Sequence, residues 1–283
     1  MEMFKIIKRG FQGSLIGIAN LMPGVSGGTI VLLMGIYERL IYAINTIPFY
    51  DFLLLIKGKK VEMFKSIKEI DFLFLIPLFF GMIFSTIIFA KILGHLLYSF
   101  PAYTNSFLFG LIMSSALTLY HRVEIFDKFS LFACIIGFFS AFIIVGLPSL
   151  QTNHSLIIVF IAGALSLMSM LLPGLSGALV LIIMNQYEYL LNSLNDLDLT
   201  VISVFMMGGI TGILSLAKGI EILFKKHRAA TLFFLFGLIL GSLRVPVTEG
   251  FAADPSLIEW LIPAAVGSLL ISSLELIYVK VFN

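Results

Sequence analysis

Charge is scarce in this chain of 283 residues: only 12% are Asp, Glu, Lys or Arg, against about 25% in soluble domains. Apolar residues make up 59%, and the mean hydropathy is +1.07. So few charges cannot cover the outside of a water-soluble fold, and lipid must solvate the apolar surplus. Alternating strands are also missing. Residues 72–90 and 200–216 are continuously apolar, which argues against an outer-membrane barrel. A single cysteine, Cys134, excludes an internal disulfide framework, and its apolar neighbours make it a spectator thiol. The four histidines and the cysteine have no metal-ligand spacing, so neither metal nor cofactor is expected. A net charge of +2 does not point to nucleic acid. Lys5, Lys8 and Arg9 precede an apolar stretch as in a signal peptide, but no small-x-small cleavage site follows. No polar tail or linker interrupts the chain, so residues 1–283 are expected to form a single membrane domain.

What the chain does have is a duplication. Leu21-Met22-Pro23-Gly24-Val25-Ser26-Gly27-Gly28 returns 150 residues later as Leu171-Leu172-Pro173-Gly174-Leu175-Ser176-Gly177-Ala178. At the same offset Met34 meets Met184, Tyr37-Glu38 meets Tyr187-Glu188, and Asn45 meets Asn195. Further on the offset is 127: Gly81 meets Gly208, Ala90-Lys91 meets Ala217-Lys218, and the Phe-Leu-Phe-Gly-Leu-Ile run at 107–112 recurs at 234–239. The first copy therefore carries an excess of 23 residues between Thr46 and Asp71. Repeat 1 covers about 11–148 and repeat 2 about 155–281, with a cytoplasmic loop at about 46–71. Each repeat holds one Pro/Gly-broken segment and three apolar spans, near 73–93, 103–120 and 129–147, then 200–220, 229–245 and 257–279.

Lysine and arginine orient the spans by the positive-inside rule. Lys5, Lys8 and Arg9 put the N-terminus in the cytoplasm. The loop with Lys57, Lys59, Lys60, Lys65 and Lys68 is inside too, so the first broken segment enters and leaves on one side. Arg122 and Lys128 mark another inner loop, whereas 148–155 and 192–199 lack Lys and Arg and face outward. Lys225, Lys226 and Arg228 are inside, and Lys280 puts the C-terminus there. The two repeats are then inverted. The expected fold is an all-α polytopic membrane protein built from two inverted-topology repeats. Each repeat is a re-entrant Pro/Gly-broken helical hairpin plus three transmembrane helices. Residues 11–22 give about 18 Å of helix at 1.5 Å each, too short for a hydrocarbon core of ~30 Å. The second hairpin has longer arms, 155–172 and 178–195, so a ten-span arrangement stays open.

The hairpin breaks are Pro23, Gly24, Pro173 and Gly174. Irregular backbone at membrane depth must be enclosed by protein or line a wet cavity. The helix that follows each break starts with free amide donors and the positive end of its dipole. Ser26 and Ser176 stand at the N-cap position. Such a start is an anion seat, and two of them meeting at mid-depth form the broken-helix transporter plan. Ser26, Gly27, Gly28, Ser176 and Gly177 are the expected anion-binding residues. The competing reading makes the same residues plain packing breaks, with each serine merely capping its own helix. Gly24-Val25-Ser26-Gly27 and Gly174-Leu175-Ser176-Gly177 also match the G-x-S-G nucleophile signature of rhomboid-type intramembrane serine proteases. That chemistry needs a base beside the serine, and His95, His121, His154 and His227 all fall at span ends or in loops. No catalytic residue is expected.

The remaining candidates are charged. Lys91 falls near the outer edge of its span and its counterpart Lys218 near the inner edge. They either snorkel to the interface or capture a head group, one in each leaflet. Lys218 has Glu221 three residues on for an ion pair. Glu38 and Glu188, about 15 Å beyond the tips by helical rise, are candidate carriers of a coupling proton or interface anchors. Arg39 has no basic counterpart, since Tyr189 follows Glu188. Arg244 also has none, and would meet an arriving anion or face water. Asn20, Asn45, Asn185 and Asn195 are candidate vestibule residues. The pairs Gly208/Gly212 and Gly237/Gly241 are spaced for close helix packing.

Met22-Pro23-Gly24-Val25-Ser26-Gly27-Gly28-Thr29, its echo at 172–177 and the two Phe-Leu-Phe-Gly-Leu-Ile blocks resemble one bacterial and archaeal family. That family was long catalogued as domain of unknown function 368 and is now associated with polyprenyl-phosphate transport. The resemblance spans essentially the whole chain, though Ala178 and Leu179 replace the second glycine and the threonine in the second copy. It implies a transporter, not an enzyme, in the plasma membrane. The implied task is the return of undecaprenyl phosphate from the outer to the inner leaflet for reuse in cell-envelope synthesis. A proton or sodium ion is the candidate coupling partner. Carriage of a small soluble anion is the competing class; only a lipid carrier needs a lateral opening.

Overall fold

A computed structural model describes residues 2–22, 26–46, 70–121 and 127–282. Pro23, Gly24, Arg122 and nearly all of the expected loop at 46–71 lie outside the described residues. Every regular element among the described residues is helical. In chain order these are α1 (Glu2–Leu21), α2 (Gly27–Leu33), α3 (Tyr37–Asn45), α4 (Phe72–Ser99), α5 (Pro101–His121), α6 (Lys128–Ile144), α7 (Leu156–Leu171), α8 (Gly177–Ile183), α9 (Tyr187–Asn195), α10 (Leu199–Ser242), α11 (Arg244–Phe251) and α12 (Leu257–Phe282). α10 is broken at His227, whose φ of −143° and ψ of 57° are not helical.

Helix boundaries recur at the offsets read from the sequence. α2 and α8 start and end 150 residues apart, as do α3 and α9, and α1 and α7 end 150 apart. α4 begins 127 residues before α10 and ends 127 before residue 226, just short of the His227 break. The caps recur too. Asp71 accepts a hydrogen bond from the Phe74 amide, and Asp198 from those of Thr200 and Val201, each supplying an acceptor for orphan donors of the first turn. Gly35 and Asn185, also 150 apart, take left-handed φ values of 64° and 55°. Both are residue types that tolerate this region, and both end the short helix after the tip.

Apolar helices of this length bury glycine stripes against one another because close backbone approach maximises packing in lipid. A Cβ on Gly81 would lie 2.0 Å from the Gly10 carbonyl oxygen, and one on Gly208 2.0 Å from that of Phe160. These contacts join α1 to α4 and α7 to the first half of α10. Each remaining pair crosses between the halves. Gly110 of α5 abuts the Ala264 carbonyl of α12, while Gly237 of α10 abuts the Cys134 carbonyl of α6. The Gly208/Gly212 and Gly237/Gly241 pairs lie at these close crossings. Phe74, Leu108, Ile112, Leu235, Leu238 and Ile239 form the centre of the core. Outside it, Phe80, Ile83, Phe84 and Ile87 of α4 and Phe132, Ile136 and Phe139 of α6 are exposed, a surface that only lipid covers without penalty. Three helical stretches (Phe72–Ser99, Pro101–Tyr120 and Leu199–Phe251) are long and apolar enough to cross a bilayer. The protein is a multi-pass helical membrane protein.

Two length expectations change. α1 is a 20-residue helix, about 30 Å long, because it continues back through the basic N-terminal residues to Glu2. The return arm is the short one: α2 has seven residues, about 10 Å, before the chain bends by 116° into α3. In the second hairpin, 178–195 is likewise not one helix but α8 and α9. Gln186 at that second bend is fully buried. Its Nε2 donates to Thr152 Oγ1 at 2.9 Å and to the Asn153 carbonyl at 3.1 Å, and its Oε1 lies 3.2 Å from His154 Nδ1. Gln186→Leu strands these groups and is expected to cost about 1–3 kcal/mol. A lower melting temperature of the detergent-purified protein would register it; an unchanged melt would show that the 147–155 segment is anchored by other contacts.

Candidate functional site

The two hairpin tips touch. Ser26 Oγ donates to the Leu172 carbonyl at 2.9 Å, and Tyr37 Oη to that of Leu171 at 3.0 Å. Gly28 lies so close to the second tip that a Cβ would be 2.9 Å from the Leu171 oxygen and 3.2 Å from Pro173 N. Gly174, with φ of +82°, turns the second tip against the Leu238 carbonyl and Ser242 of α10. Polar backbone from both halves thus converges beside the centre of the core.

The tips differ in what their donors do. At the first, the Gly27 amide donates to Asn20 Oδ1 at 2.8 Å, the Gly28 amide to Ser26 Oγ at 3.1 Å, and the Thr29 amide to the Ser26 carbonyl at 2.9 Å. Ser26, Gly27, Gly28 and Thr29 are all buried. This start is satisfied and sealed. At the second tip Ser176 is half-buried and makes no capping bond. Among the described residues the amides of Gly177, Ala178 and Leu179 have no hydrogen-bond acceptor, and Ala178 is exposed. Sequence similarity conceals this difference, because Ser176 has the extended backbone of an N-cap just as Ser26 does.

The charged candidates lie apart from the tips. Glu38 pairs with Arg228 at 2.9 Å, and Arg39 with Asp71 at 2.5 Å. Both pairs are substantially exposed, so each contributes little on its own; together they tie α3 to α4 and to α10 just past its break. The 116° bend ahead of α3 means that straight helical rise does not measure the distance from tip to Glu38. Glu188 has no ion-pair partner among the described residues. Lys91 and Lys218 are exposed. Glu221 pairs with Lys225 at 2.5 Å rather than with Lys218, and also accepts from Asn45 Nδ2 at 2.7 Å; the i,i+4 spacing suits that pair. Arg244 donates to the Phe142 carbonyl at 2.8 Å and stacks on the Phe142 ring at 4.6 Å, closing the last turn of α6.

Among the described residues neither serine has a histidine among its hydrogen-bond partners. His95 lies by Ser99, His154 by Gln186 and Tyr189, and His227 by Phe129. Sequence reading missed Tyr37, Asp71 and Arg228 as partners of the tip and its flank. The duplicated Tyr37/Tyr187 and Asp71/Asp198 were the available signals; Arg228 left none.

A family profile described as VCA0040-like, undecaprenyl phosphate translocase-like, matches residues 16–252. The polyprenyl-phosphate transporter of Vibrio cholerae is 34% identical over 233 residues, covering 82% of this chain and 74% of the relative. The polyprenyl-phosphate transporter of Staphylococcus aureus is 27% identical over 288 residues, covering 94% and 93%. Both relatives are named as transporters, not enzymes. No solved structure matches the chain.

Proposed function

The chain belongs to the undecaprenyl phosphate translocase-like family, and from that premise we propose that it carries undecaprenyl phosphate across the plasma membrane, from outer to inner leaflet, so that the carrier lipid is reused in cell-envelope synthesis. The observation that carries this reading is the hydrogen bond between the tips, Ser26 to Leu172, which puts the peptide donors of both halves in one place. A monophosphate needs such donors, and its transport also needs a path for an apolar tail.

The phosphate seat comprises Ser26, Gly27, Gly28, Ser176 and Gly177. In the arrangement seen, Ser176 and the Gly177 amide are the available part. In the alternate arrangement the first tip opens and the second seals. The recurring helix boundaries, caps and left-handed residues support two repeats, and the distribution of lysine and arginine supports their inverted topology with both termini cytoplasmic. The short return arms α2 and α8 support re-entrant hairpins. Alternating access follows when two such repeats exchange shapes. Lys91, Lys218, Arg39 and Arg244 are attracting charges at the two mouths, and Glu38 and Glu188 carry the coupling proton.

Reconstitution into liposomes with labelled undecaprenyl phosphate and a leaflet-specific probe tests this. Protein-dependent movement of the label between leaflets is expected. A protein that neither binds nor moves the lipid, yet takes up a small soluble anion, would refute the proposal.

A further inference from the structure

The two halves hold their post-tip helices differently. α3 lies along the first half of α10. Asn45 donates to the Ala217 carbonyl at 3.1 Å and to the Glu221 carboxylate at 2.7 Å, and the Tyr37 ring packs 5.8 Å from that of Phe224. Tyr37, Ile41 and Ile44 are accordingly 2%, 1% and 8% exposed. Their counterparts on α9, Tyr187, Leu191 and Leu194, are 40%, 43% and 57% exposed. The α4 face equivalent to the one beneath α3 is open: Ala90 and Gly94 are exposed, and nothing lies within 4 Å of a Cβ at Gly94. Among the described residues no hydrogen bond or ion pair joins α9 to α4 or α5.

α3 also crosses a break. Phe100, between α4 and α5, has φ of −137° and ψ of 56°, and His227, 127 residues later, has −143° and 57°. Four residues beyond each, Thr104 and Thr231 donate their hydroxyls to the Phe100 and His227 carbonyls at 2.8 and 2.9 Å. The two joints share one backbone geometry. α3 braces the second on both sides, with Asn45 on Glu221 before it and Glu38 on Arg228 after it. The counterparts of Glu221 and Arg228 are Gly94 and Pro101, and neither has a side chain that could hold Asn195 or Glu188. α10 therefore offers α3 polar partners that α4 cannot offer α9. Glu221 carries most of the weight. Its side chain is 18% exposed and is held by Lys225 at 2.5 Å as well as by Asn45, and hydrogen bonds to charged acceptors are the stronger ones. The exposed Glu38–Arg228 pair adds little. At the other end of α3 from Asn45, the Tyr37 hydroxyl donates to the Leu171 carbonyl of the second tip. One short helix thus links the hold on Glu221 to the contact between the tips.

We propose that Glu221, with Arg228 in support, is a latch that holds α3 on α10 and so keeps the two tips joined. The latch opens when α3 leaves α10, as α9 now stands clear of α4. The proposal rests on the exchange of shapes described above and not on the identity of the lipid. Because α4 carries no equivalent of the latch, the arrangement seen is the favoured resting one. Loss of one hydrogen bond to a charged group shifts such an equilibrium by about tenfold or more.

The test uses the full chain with Cys134→Ala, in nanodiscs of phosphatidylethanolamine and phosphatidylglycerol, and a water-soluble maleimide. Ile41→Cys, on the face of α3 buried against α10, reports release; Ile44→Cys serves if that variant does not fold. Adding Glu221→Ala should speed labelling by about tenfold or more. Asn45→Ala should do the same. Combining the two should add less than about threefold to Asn45→Ala alone, because Glu221 acts on α3 through Asn45. Leu108→Cys, at a fully buried core position, should stay protected in every background, which separates release of α3 from unfolding. Unchanged labelling in Glu221→Ala, fully independent effects of the two substitutions, or an equal rise at Leu108→Cys would overturn the latch. Undecaprenyl phosphate binding is measured on the same nanodiscs. A parent protein that binds none, while Glu221→Ala still exposes Ile41→Cys, would refute the proposed function and leave the latch supported.

Discussion

Gly28→Leu is expected to abolish lipid movement in reconstituted vesicles while leaving the protein folded. Gly28 is the point where the first tip presses on the second. Its Cβ would come within 2.9 Å of the Leu171 oxygen and 3.2 Å of Leu172 C and Pro173 N. These are backbone atoms and cannot rotate aside. Leucine must therefore wedge the tips apart, breaking the Ser26–Leu172 and Tyr37–Leu171 hydrogen bonds. Overpacking of this kind costs about 1–3 kcal/mol, less than a total stability of about 5–15 kcal/mol. The melting temperature should drop modestly, and the transport rate should fall by about two orders of magnitude or more, since a 1 Å misplacement alone can cost ~100-fold. Transport near the parent rate would show that contact between the tips is not needed.

Gly81→Leu carries the largest expected effect on stability. A Cβ there would sit 2.0 Å from the Gly10 carbonyl oxygen and 3.0 Å from the Ser14 amide nitrogen. α1 and α4 can admit it only by separating along much of their length, which also removes the bond from Ser14 Oγ to the Gly81 carbonyl at 3.2 Å. The cost should reach about 3 kcal/mol or more. Thermal denaturation in detergent would show it as a large loss of melting temperature or as failure to purify. Gly94→Leu is the matched control on the same helix. Nothing lies within 4 Å of a Cβ at Gly94, and leucine is the better helix former by about 1 kcal/mol, so that variant should purify and melt like the parent. Equal behaviour of the two would mean that the α1–α4 crossing is looser than the geometry states.

Lysine loops, apolar runs and the doubled Pro-Gly-x-Ser-Gly segment were legible because each is a local property of the chain. Hydropathy reports length and lipid exposure, and glycine with proline reports where a helix must stop. The 150 offset recurs in the bounds of α2 and α8 and of α3 and α9, and the 127 offset in the starts of α4 and α10. The length of α1 was not legible, because Lys5, Lys8 and Arg9 mask a helical segment that hydropathy leaves out. The bend at 34–36 was also missed. It is marked only by one glycine and, in the other half, one asparagine.

By itself, the sequence determined that this is an all-helical membrane protein, that the recurring Pro-Gly segments end α1 and α7, and which short polar segments recur, because composition and periodicity act residue by residue. Only tertiary structure decided how the two copies differ. Ser26 is sealed and Ser176 is not; Tyr37 is buried and Tyr187 exposed; Glu38 meets Arg228 while Glu188 has no ion-pair partner among the described residues. The short motifs that the two copies share do not distinguish these states. The asymmetry arises because α3 is docked on α10 while α9 stands clear of α4, and that choice is made by long-range packing between segments more than a hundred residues apart.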